Sequence, residues 1–199
     1  MTQVTCDIGI SLDGLSAGRN QSLEQPFGDG VGDGERLHSW MFDHAAEHAA
    51  ELGAITAAGA FVMGRNMFSP GRGEWDLGWR GWWGDDPPYH APVFVLTHHP
   101  RDPVVMEGGT TFHFVTGGVA EALARAREAA GERDVSVAGG ATTVNQFLAA
   151  GLIDELRLHV APVVLGVDGV RLFDGVGPVG LTAAGVRHTP EVNHLVYRR

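Results

Sequence analysis

The segment from residue 134 to residue 166, DVSVAGGATTVNQFLAAGLIDELRLHVAPVVLG, carries the pattern that decides the fold. It predicts a short apolar strand that runs into Gly139-Gly140, a helix that extends to Gly151, and a longer apolar strand. A ligand can approach two glycines closely, and a helix that begins there directs free N–H groups and its positive dipole end into the same gap. The segment therefore predicts a phosphate or pyrophosphate seat, with a plain strand-to-helix turn as the alternative.

Outward from this segment, apolar strands and amphipathic helices alternate along the chain. This order predicts an α/β fold with a mostly parallel central sheet, covered on both faces, and an antiparallel C-terminal edge hairpin. The length of 199 residues fits a single domain over 1–199. The predicted strands are residues 3–11, 60–63, 92–97, 111–115, 135–138, 156–165, 170–173, 181–187 and 192–198, and the predicted helices are residues 35–52, 119–130 and 142–150.

Polar and glycine signals follow directly after five of the predicted strands. The carboxyl ends of parallel strands meet at one edge of a sheet, and ligands bind beyond that edge. We therefore expect the signals to converge on one site. They are Ser11-Leu12-Asp13-Gly14, Gly64-Arg65, Thr97-His98, Val115-Thr116 and Gly139-Gly140.

Composition narrows the classes of function. A net charge of −10 and a pI near 5.3 argue against a nucleic-acid binder, which needs a basic face. One cysteine, Cys6, excludes an internal disulfide and suits a reducing compartment. The N-terminus lacks a signal-peptide pattern, and no apolar run approaches transmembrane length. We expect a soluble cytoplasmic protein that acts on a small molecule, with no nucleic-acid or membrane partner.

Short motifs in a fixed order match a known family. They are SLDG at 11–14, GAFVMGR at 59–65, PVFVLTH at 92–98, GGA at 139–141, GLIDEL at 151–156 and PVVLG at 162–166. Each motif is weak alone, but the ordered set spans nearly the whole chain. On these residues the chain resembles the dihydrofolate reductase-like superfamily, and within it the stand-alone relatives of the riboflavin-biosynthesis reductase domain. The resemblance implies the three-layer fold of that superfamily and a homodimer.

The resemblance also implies that the cofactor is NADPH. It places Arg65 at the adenosine 2′-phosphate, where a guanidinium makes a bidentate, charge-assisted contact. Thr97 and His98 are expected beside the adenosine, and Thr116 belongs to the same cofactor edge. The residues implied to receive the pyrophosphate are Gly139, Gly140, Ala141 and Thr142. For Arg65 the alternative is a role in packing or in an ion pair with an acidic neighbour.

The resemblance is less specific about the residues that bind the substrate. The Asp13-Gly14 loop is expected to lie over the nicotinamide and the substrate, helped by His38 and Trp40. Asp13 is the best candidate for a catalytic polar group, and its alternative role is to shape a turn. True dihydrofolate reductases carry one carboxylate on the first helix. Asp43 and Glu47 lie in that region, but neither aligns, so folate is not the predicted substrate.

The leading hypothesis is an NADPH-dependent reductase. It would transfer hydride to a small planar or carbonyl-like heterocycle, of the riboflavin-pathway or pterin-like kind, with the proton supplied by water. The zinc deaminase signature, His-x-Glu with Pro-Cys-x-x-Cys, is absent from the sequence, and one cysteine cannot supply it. The first alternative is an NADP-binding protein without catalysis.

A second alternative is a zinc hydrolase. His44-Ala-Ala-Glu47-His48 matches His-x-x-Glu-His, and on a helix the two histidines would lie one turn apart on the same face. No third ligand is evident in the sequence. The favoured interpretation is a solvated or half-buried helix face, so no metal site is predicted.

Trp75, Trp79, Trp82 and Trp83 lie in a glycine-rich segment without a clear period. Their first interpretation is that they fasten an irregular loop onto the body of the protein. The alternative is an aromatic wall over a planar substrate, which would also exclude water.

Overall fold

The computed structural model describes residues 2–32 and 34–199. Its strands are β1 Val4–Ile10, β2 Ala60–Gly64, β3 Pro92–Leu96, β4 Val104–Val105, β5 Thr111–Val115, β6 Val135–Val137, β7 Glu155–Val160, β8 Thr182–His188 and β9 Asn193–Arg198. Its helices are α1 Ser39–Phe42, α2 Ala49–Thr56, α3 Arg65–Phe68, α4 Gly118–Ala130 and α5 Ala141–Ala149, with 3-10 turns at Gly34–Leu37 and Glu107–Gly109.

One sheet contains all of these strands, in the order β4-β5-β3-β2-β6-β1-β7-β9-β8. Its centre is parallel: β1 pairs with β6 and β7, β2 with β6 and β3, and β3 with β5. Both edges are antiparallel, with β4 against β5 on one side and the β8–β9 hairpin against β7 on the other. The predicted fold class, a mostly parallel sheet with an antiparallel C-terminal hairpin, is confirmed.

Apolar side chains pack on both faces of the sheet. On one face, alternate residues of β1, Val4 to Ile10, pack with Val144 and Phe147 of α5 and with the apolar side of α4. On the other face, Phe61 and Met63 of β2 pack with residues of α3, β3 and β5. The sheet is therefore the middle of three layers.

The predicted helix over 35–52 is wrong. The chain forms a 3-10 turn and the short α1, passes through turns at residues 43–48, and only then begins α2. Tertiary packing outweighs the helical spacing here, because Trp40 and His48 both turn into the interior, where they are 1% and 0% exposed. The expectation that His44 and His48 would share one helix face is wrong as well, since His44 lies at the surface.

Two predicted strands are shorter in the structure. The strand predicted over 156–165 ends at Val160, because Pro162 has no N–H for the sheet ladder. The segment 170–173 makes one bridge, between Leu15 and Arg171, instead of a strand. No helix in the described part of the chain has both the length and the apolar character needed to cross a membrane.

Candidate functional site

Two of the predicted signals meet in the middle of the carboxyl edge. The N–H of Gly64 donates to the carbonyl of Gly139 at 2.8 Å, and the N–H of Ala138 donates to the carbonyl of Val62 at 2.8 Å. These bonds continue the pairing of β2 with β6 beyond the carboxyl end of β6. Arg65, which begins α3, therefore starts next to the glycine pair, as a shared ligand site would require.

The glycine pair lies directly before α5, with Gly139 buried and Gly140 half-buried. Gly139 has a φ of +107°, a conformation that L side chains rarely adopt, and a cis peptide bond joins it to Gly140. Gly140 is the N-cap of α5 and makes no side-chain capping bond, and its carbonyl accepts the N–H groups of Thr143 and Val144. The first N–H groups of α5, at Ala141 and Thr142, have no acceptor within the helix and suit an anion.

Thr143 and Gly64 pack closely against each other at the junction between β2 and α5. A Cβ added to Gly64 would lie 2.5 Å from Thr143 Oγ1, and Thr143 is only 5% exposed. We expect Gly64→Ala to lower the free energy of unfolding by about 1–3 kcal/mol through overpacking. Adding Thr143→Ala should recover part of that loss, which urea unfolding of the two single variants and the double variant would measure. Additive losses would contradict the contact.

Arg65 reaches away from the sheet toward the tryptophan-rich segment. Its guanidinium lies 3.8 Å from the ring centroid of Trp75, and Nη2 donates to the carbonyl of Glu74 at 3.3 Å. Its Nε is buried without a hydrogen-bond partner. Burial lowers the pKa of Arg65, while Glu74 acts to raise it. Arg65 therefore has an N–H without an acceptor on a guanidinium that is stacked against Trp75, and such a group suits a negatively charged oxygen ligand.

The other predicted cofactor residues lie along the same edge. The hydroxyl of Thr97 accepts the N–H of His99 at 3.1 Å and so shapes the turn after β3. His98 and Thr116 are exposed just beyond β3 and β5. The structure thus brings all the predicted cofactor residues to the carboxyl edge of the sheet, while their contacts with a dinucleotide stay predictions.

Asp13 ties two loops together at this edge. Its carboxylate oxygens accept the N–H groups of Leu165 and Gly166, each at 3.0 Å. Burial alone would raise the pKa of Asp13, but hydrogen bonds from Ser11 and from these two N–H groups outweigh it, so the pKa lies below its usual range. Asp13 is thus an ionised acceptor that shapes the turn, and its contact with substrate stays a prediction.

His38 lies on the carboxyl half of β1, whereas Trp40 packs on histidines of β7 and β9. A Cβ on Gly9 would lie 3.2 Å from His38 Cε1, so the ring rests on β1 near its end. Burial, with a smaller contribution from His159, lowers the pKa of His38 to about 4. Trp40 is 1% exposed and belongs to the interior. Of the three predicted substrate residues, Asp13, His38 and Trp40, only Trp40 is fully buried, and contact of any of them with substrate stays a prediction.

A row of buried histidines, which the sequence patterns did not predict, lies beneath Trp40. His159 Nδ1 is 2.7 Å from His194 Nδ1, and His194 Nε2 is 2.8 Å from His48 Nδ1. His159 Nε2 is 3.4 Å from Asp7 Oδ1. The Trp40 ring packs against all three imidazoles, with centroids 4.7 to 5.4 Å apart. One signal could have revealed the row: Asp7 interrupts an otherwise apolar strand, where aspartate is disfavoured.

This row makes stability depend on pH. Burial, with smaller effects from His159 and His48 that act in the same direction, lowers the pKa of His194 from 6.5 to about 4. The unfolded chain therefore takes up a proton between these values that the folded chain does not. The stabilisation is complete above pH 6.5 and is lost as pH falls toward 4. We expect urea unfolding at pH 7 and pH 5 to show a smaller change for His194→Asn than for the natural chain. The exposed-site control His98→Asn should keep the full change, and equal changes in both variants would contradict the assignment.

The tryptophan-rich segment is fastened to the body of the protein through its indoles. Their N–H groups donate to backbone carbonyls, at 2.8 Å for Trp75, 2.6 Å for Trp79 and 3.3 Å for Trp82. Trp83 is 41% exposed, and its ring lies 6.1 Å from that of Phe42, which is also exposed. These contacts favour the first interpretation for three of the four residues.

The chain is similar in sequence to one protein family and to one curated protein. Residues 2–195 match the family model described as RibD C-terminal domain. A protein of Bacillus subtilis strain 168 named uncharacterized protein YyaP is 29% identical over 113 residues, which is 52% of this chain and 56% of that protein. The chain thus matches about half the length of this relative.

Solved structures share the fold at lower identity. A protein of Shewanella sp. PV-4, whose name links it to riboflavin biosynthesis, superposes with a TM-score of 0.63 and 24% identity, over 100% of this chain and 99% of that one. Acinetobacter baumannii RibD superposes with a TM-score of 0.61 and 17% identity, over 100% of this chain and 58% of that one. A third structure is the Thermotoga maritima diaminohydroxyphosphoribosylaminopyrimidine deaminase/5-amino-6-(5-phosphoribosylamino)uracil reductase. It superposes with a TM-score of 0.59 and 16% identity, over 99% of this chain and 56% of that one. The dihydrofolate reductase-like fold predicted from the motifs is confirmed.

Proposed function

The chain belongs to the RibD C-terminal domain family, and we propose that it is an NADPH-dependent reductase. Its substrate is a small planar or carbonyl-like heterocycle of the riboflavin-pathway or pterin-like kind. Residence in the cytoplasm, which the single cysteine favours, and a homodimer, which the resemblance implies, are part of the same proposal. The name of the Thermotoga relative, which joins a deaminase to a uracil-derivative reductase, supports a pyrimidine-type substrate.

One observation carries the proposal: the hydrogen bond from Gly64 to Gly139 puts the predicted 2′-phosphate residue next to the predicted pyrophosphate seat. A dinucleotide needs both places on one side of the molecule. The residues also fit the cofactor in chemistry. A Cβ on Gly140 would meet only Ser16 Oγ, at 3.9 Å, so there is room for a phosphate to approach the backbone. The unused Nε of Arg65 offers a charged donor nearby.

When bound, NADPH would supply the hydride, and the residues of the chain would bind and orient the cofactor and the substrate. The first N–H groups of α5 would hold the pyrophosphate, and Arg65 would hold the 2′-phosphate. Asp13 keeps the 11–14 turn against the 163–166 loop and so fixes the wall of the substrate space. With a pKa of about 4, His38 is neutral at pH 7 and can offer one N–H and one lone pair to the substrate. Water supplies the proton.

A catalytically silent NADP-binding protein is the second candidate. The observation in its favour is that both oxygens of Asp13 are already hydrogen-bonded to backbone N–H groups. That leaves the site without an assigned acid.

Titration of the purified chain with NADPH, followed by a substrate screen, separates the possibilities. The screen follows loss of reduced-nicotinamide absorbance with pyrimidine, pterin, imine and carbonyl compounds. Binding with turnover supports the reductase, and binding without turnover across all four classes supports the silent protein. Failure to bind either NADPH or NADH would remove both.

A further inference from the structure

The loop after β1 brings an uncommitted hydroxyl to the glycine pair. A Cβ built on Gly140 would lie 3.9 Å from Ser16 Oγ. Ser16 is half-buried, and its hydroxyl makes no hydrogen bond within the described part of the chain. The hydroxyl is therefore available to a ligand that lies against the backbone of Gly140.

The residue before Ser16 anchors this loop in the interior. Leu15 is 0% exposed. Its N–H donates to Ser11 Oγ at 3.0 Å, and its carbonyl accepts the N–H of Ser11 at 2.9 Å. Leu15 also forms an antiparallel bridge with Arg171. Ser16 therefore follows a fixed point of the backbone, and a ligand that binds its hydroxyl has little of the loop left to order.

The segment that pairs with Leu15 is itself fastened to α5 by Asn145, which is 6% exposed. Asn145 Nδ2 donates to the carbonyl of Arg171, and its Oδ1 accepts the N–H of Phe173, each at 2.8 Å. Arg171 in turn donates from Nε to the carbonyl of Asp13 at 3.0 Å. Helix α5 thus carries the proposed pyrophosphate seat in its first turn and, one turn later, the side chain that holds the loop beside that seat.

A phosphate group suits this hydroxyl. An O–H that donates to a charged phosphate oxygen makes a short and strong hydrogen bond. A phosphate against the backbone of Gly140 presents several oxygens, and one of them can face Ser16. The carboxylate of the same loop does not take the hydroxyl, because Asp13 accepts the N–H groups of Leu165 and Gly166 instead.

We propose that the Ser16 hydroxyl binds the pyrophosphate of the dinucleotide, and that Asn145 is the positioning residue that keeps Ser16 at the seat. The inference rests on the proposed function and adds to it a ligand from the loop after β1. The bound cofactor then ties this loop, which carries Asp13, to α5. Because the pyrophosphate is common to both dinucleotides, Ser16 contributes to the affinity for NADPH and for NADH alike, whereas Arg65 distinguishes them.

Fluorescence titration of the full-length chain with NADPH and with NADH tests the proposal. Ser16→Ala removes the hydroxyl and should weaken both dinucleotides by the same factor, about tenfold. Ser16→Thr retains a hydroxyl and should bind both more tightly than Ser16→Ala does. Urea unfolding of Ser16→Ala should match that of the natural chain, since the hydroxyl makes no hydrogen bond in the described fold.

Ser22→Ala is the matched control, because it makes the same change in the same loop, at a hydroxyl that accepts the N–H of Gln25 at 3.1 Å. It should bind both dinucleotides like the natural chain. The proposal is overturned if Ser16→Ala binds normally, if it loses affinity for NADPH alone, or if Ser22→Ala loses as much. The first result leaves the reductase proposal intact, the second places the hydroxyl at the 2′-phosphate, and the third assigns the loss to the shape of the loop. A natural chain that binds neither dinucleotide would remove the proposed function itself.

Asn145→Ala measures the positioning. Alone, it should weaken both dinucleotides, but in the Ser16→Ala background it should add little, because the hydroxyl that it positions is gone. Urea unfolding establishes that each variant is folded during the titration, and Asn145→Asp, which keeps the acceptor for Phe173, replaces the alanine variant if that one does not fold. Equal losses in the two backgrounds would show that Asn145 supports the fold and does not act through Ser16.

Discussion

Arg65→Ala is expected to weaken NADPH binding by about 1.5–3 kcal/mol, roughly ten- to a hundredfold, while NADH binding changes little. The two dinucleotides differ only in the 2′-phosphate that Arg65 is proposed to hold. The unused Nε and the stacking on Trp75 leave the guanidinium ready for a two-bond contact with a phosphate. Fluorescence titration of the variant with both dinucleotides measures the difference directly.

Two further variants make this result specific. Arg65→Lys keeps the charge but loses the planar fork, so its affinity for NADPH should fall between those of the natural chain and Arg65→Ala. Arg125→Ala removes an arginine that lies on α4 and pairs with Glu121 at 3.5 Å, and it should bind both dinucleotides normally. Equal losses of NADPH and NADH in Arg65→Ala would show that the arginine supports the fold and not the phosphate.

Gly140→Ala is expected to lower NADPH affinity by about 1–3 kcal/mol, as overpacking does elsewhere, with little change in the free energy of unfolding. Gly140 has an extended backbone with φ −76° and ψ −168°, and its added Cβ would meet only Ser16 Oγ, at 3.9 Å. The methyl group therefore fits the folded chain but occupies the space proposed for the pyrophosphate. NADPH titration and urea unfolding of the same preparation separate the two effects.

The neighbouring glycine provides the contrast. Gly139 has a φ of +107°, so Gly139→Ala is expected to destabilise the fold itself, by about 1–3 kcal/mol. If Gly140→Ala binds NADPH as tightly as the natural chain, no phosphate lies against this backbone. The proposed pyrophosphate site would then be wrong.

The central βα units could be predicted because their signals are local. The strand at Val135–Val137, the glycine pair and α5 follow one another within a few residues, and period and turn chemistry decide each of them. The helix proposed over 35–52 failed for the opposite reason. Its spacing is helical, but burying Trp40 and His48 against the sheet outweighs the modest preference that spacing provides.

The candidate cofactor edge was predicted by the rule that parallel strands end together, which needs strand direction but no side-chain contacts. Whether Arg65 and the glycine pair share one side of the molecule depended on β2 and β6 being neighbours, and their register shows that they are. The stacking of Arg65 on Trp75 could not be foreseen, because a segment without a period gives no direction to its side chains.

By itself, then, the sequence determined the α/β class and the order of the central strands and helices, and it predicted the edge at which a dinucleotide is proposed to bind. Only the tertiary structure decided that Asp7, His48, His159 and His194 form one buried row. These residues come from distant parts of the chain. Strand period sets the face on which each one points, but the pairing of β7 with β9 and the inward turn of His48 set which of them touch.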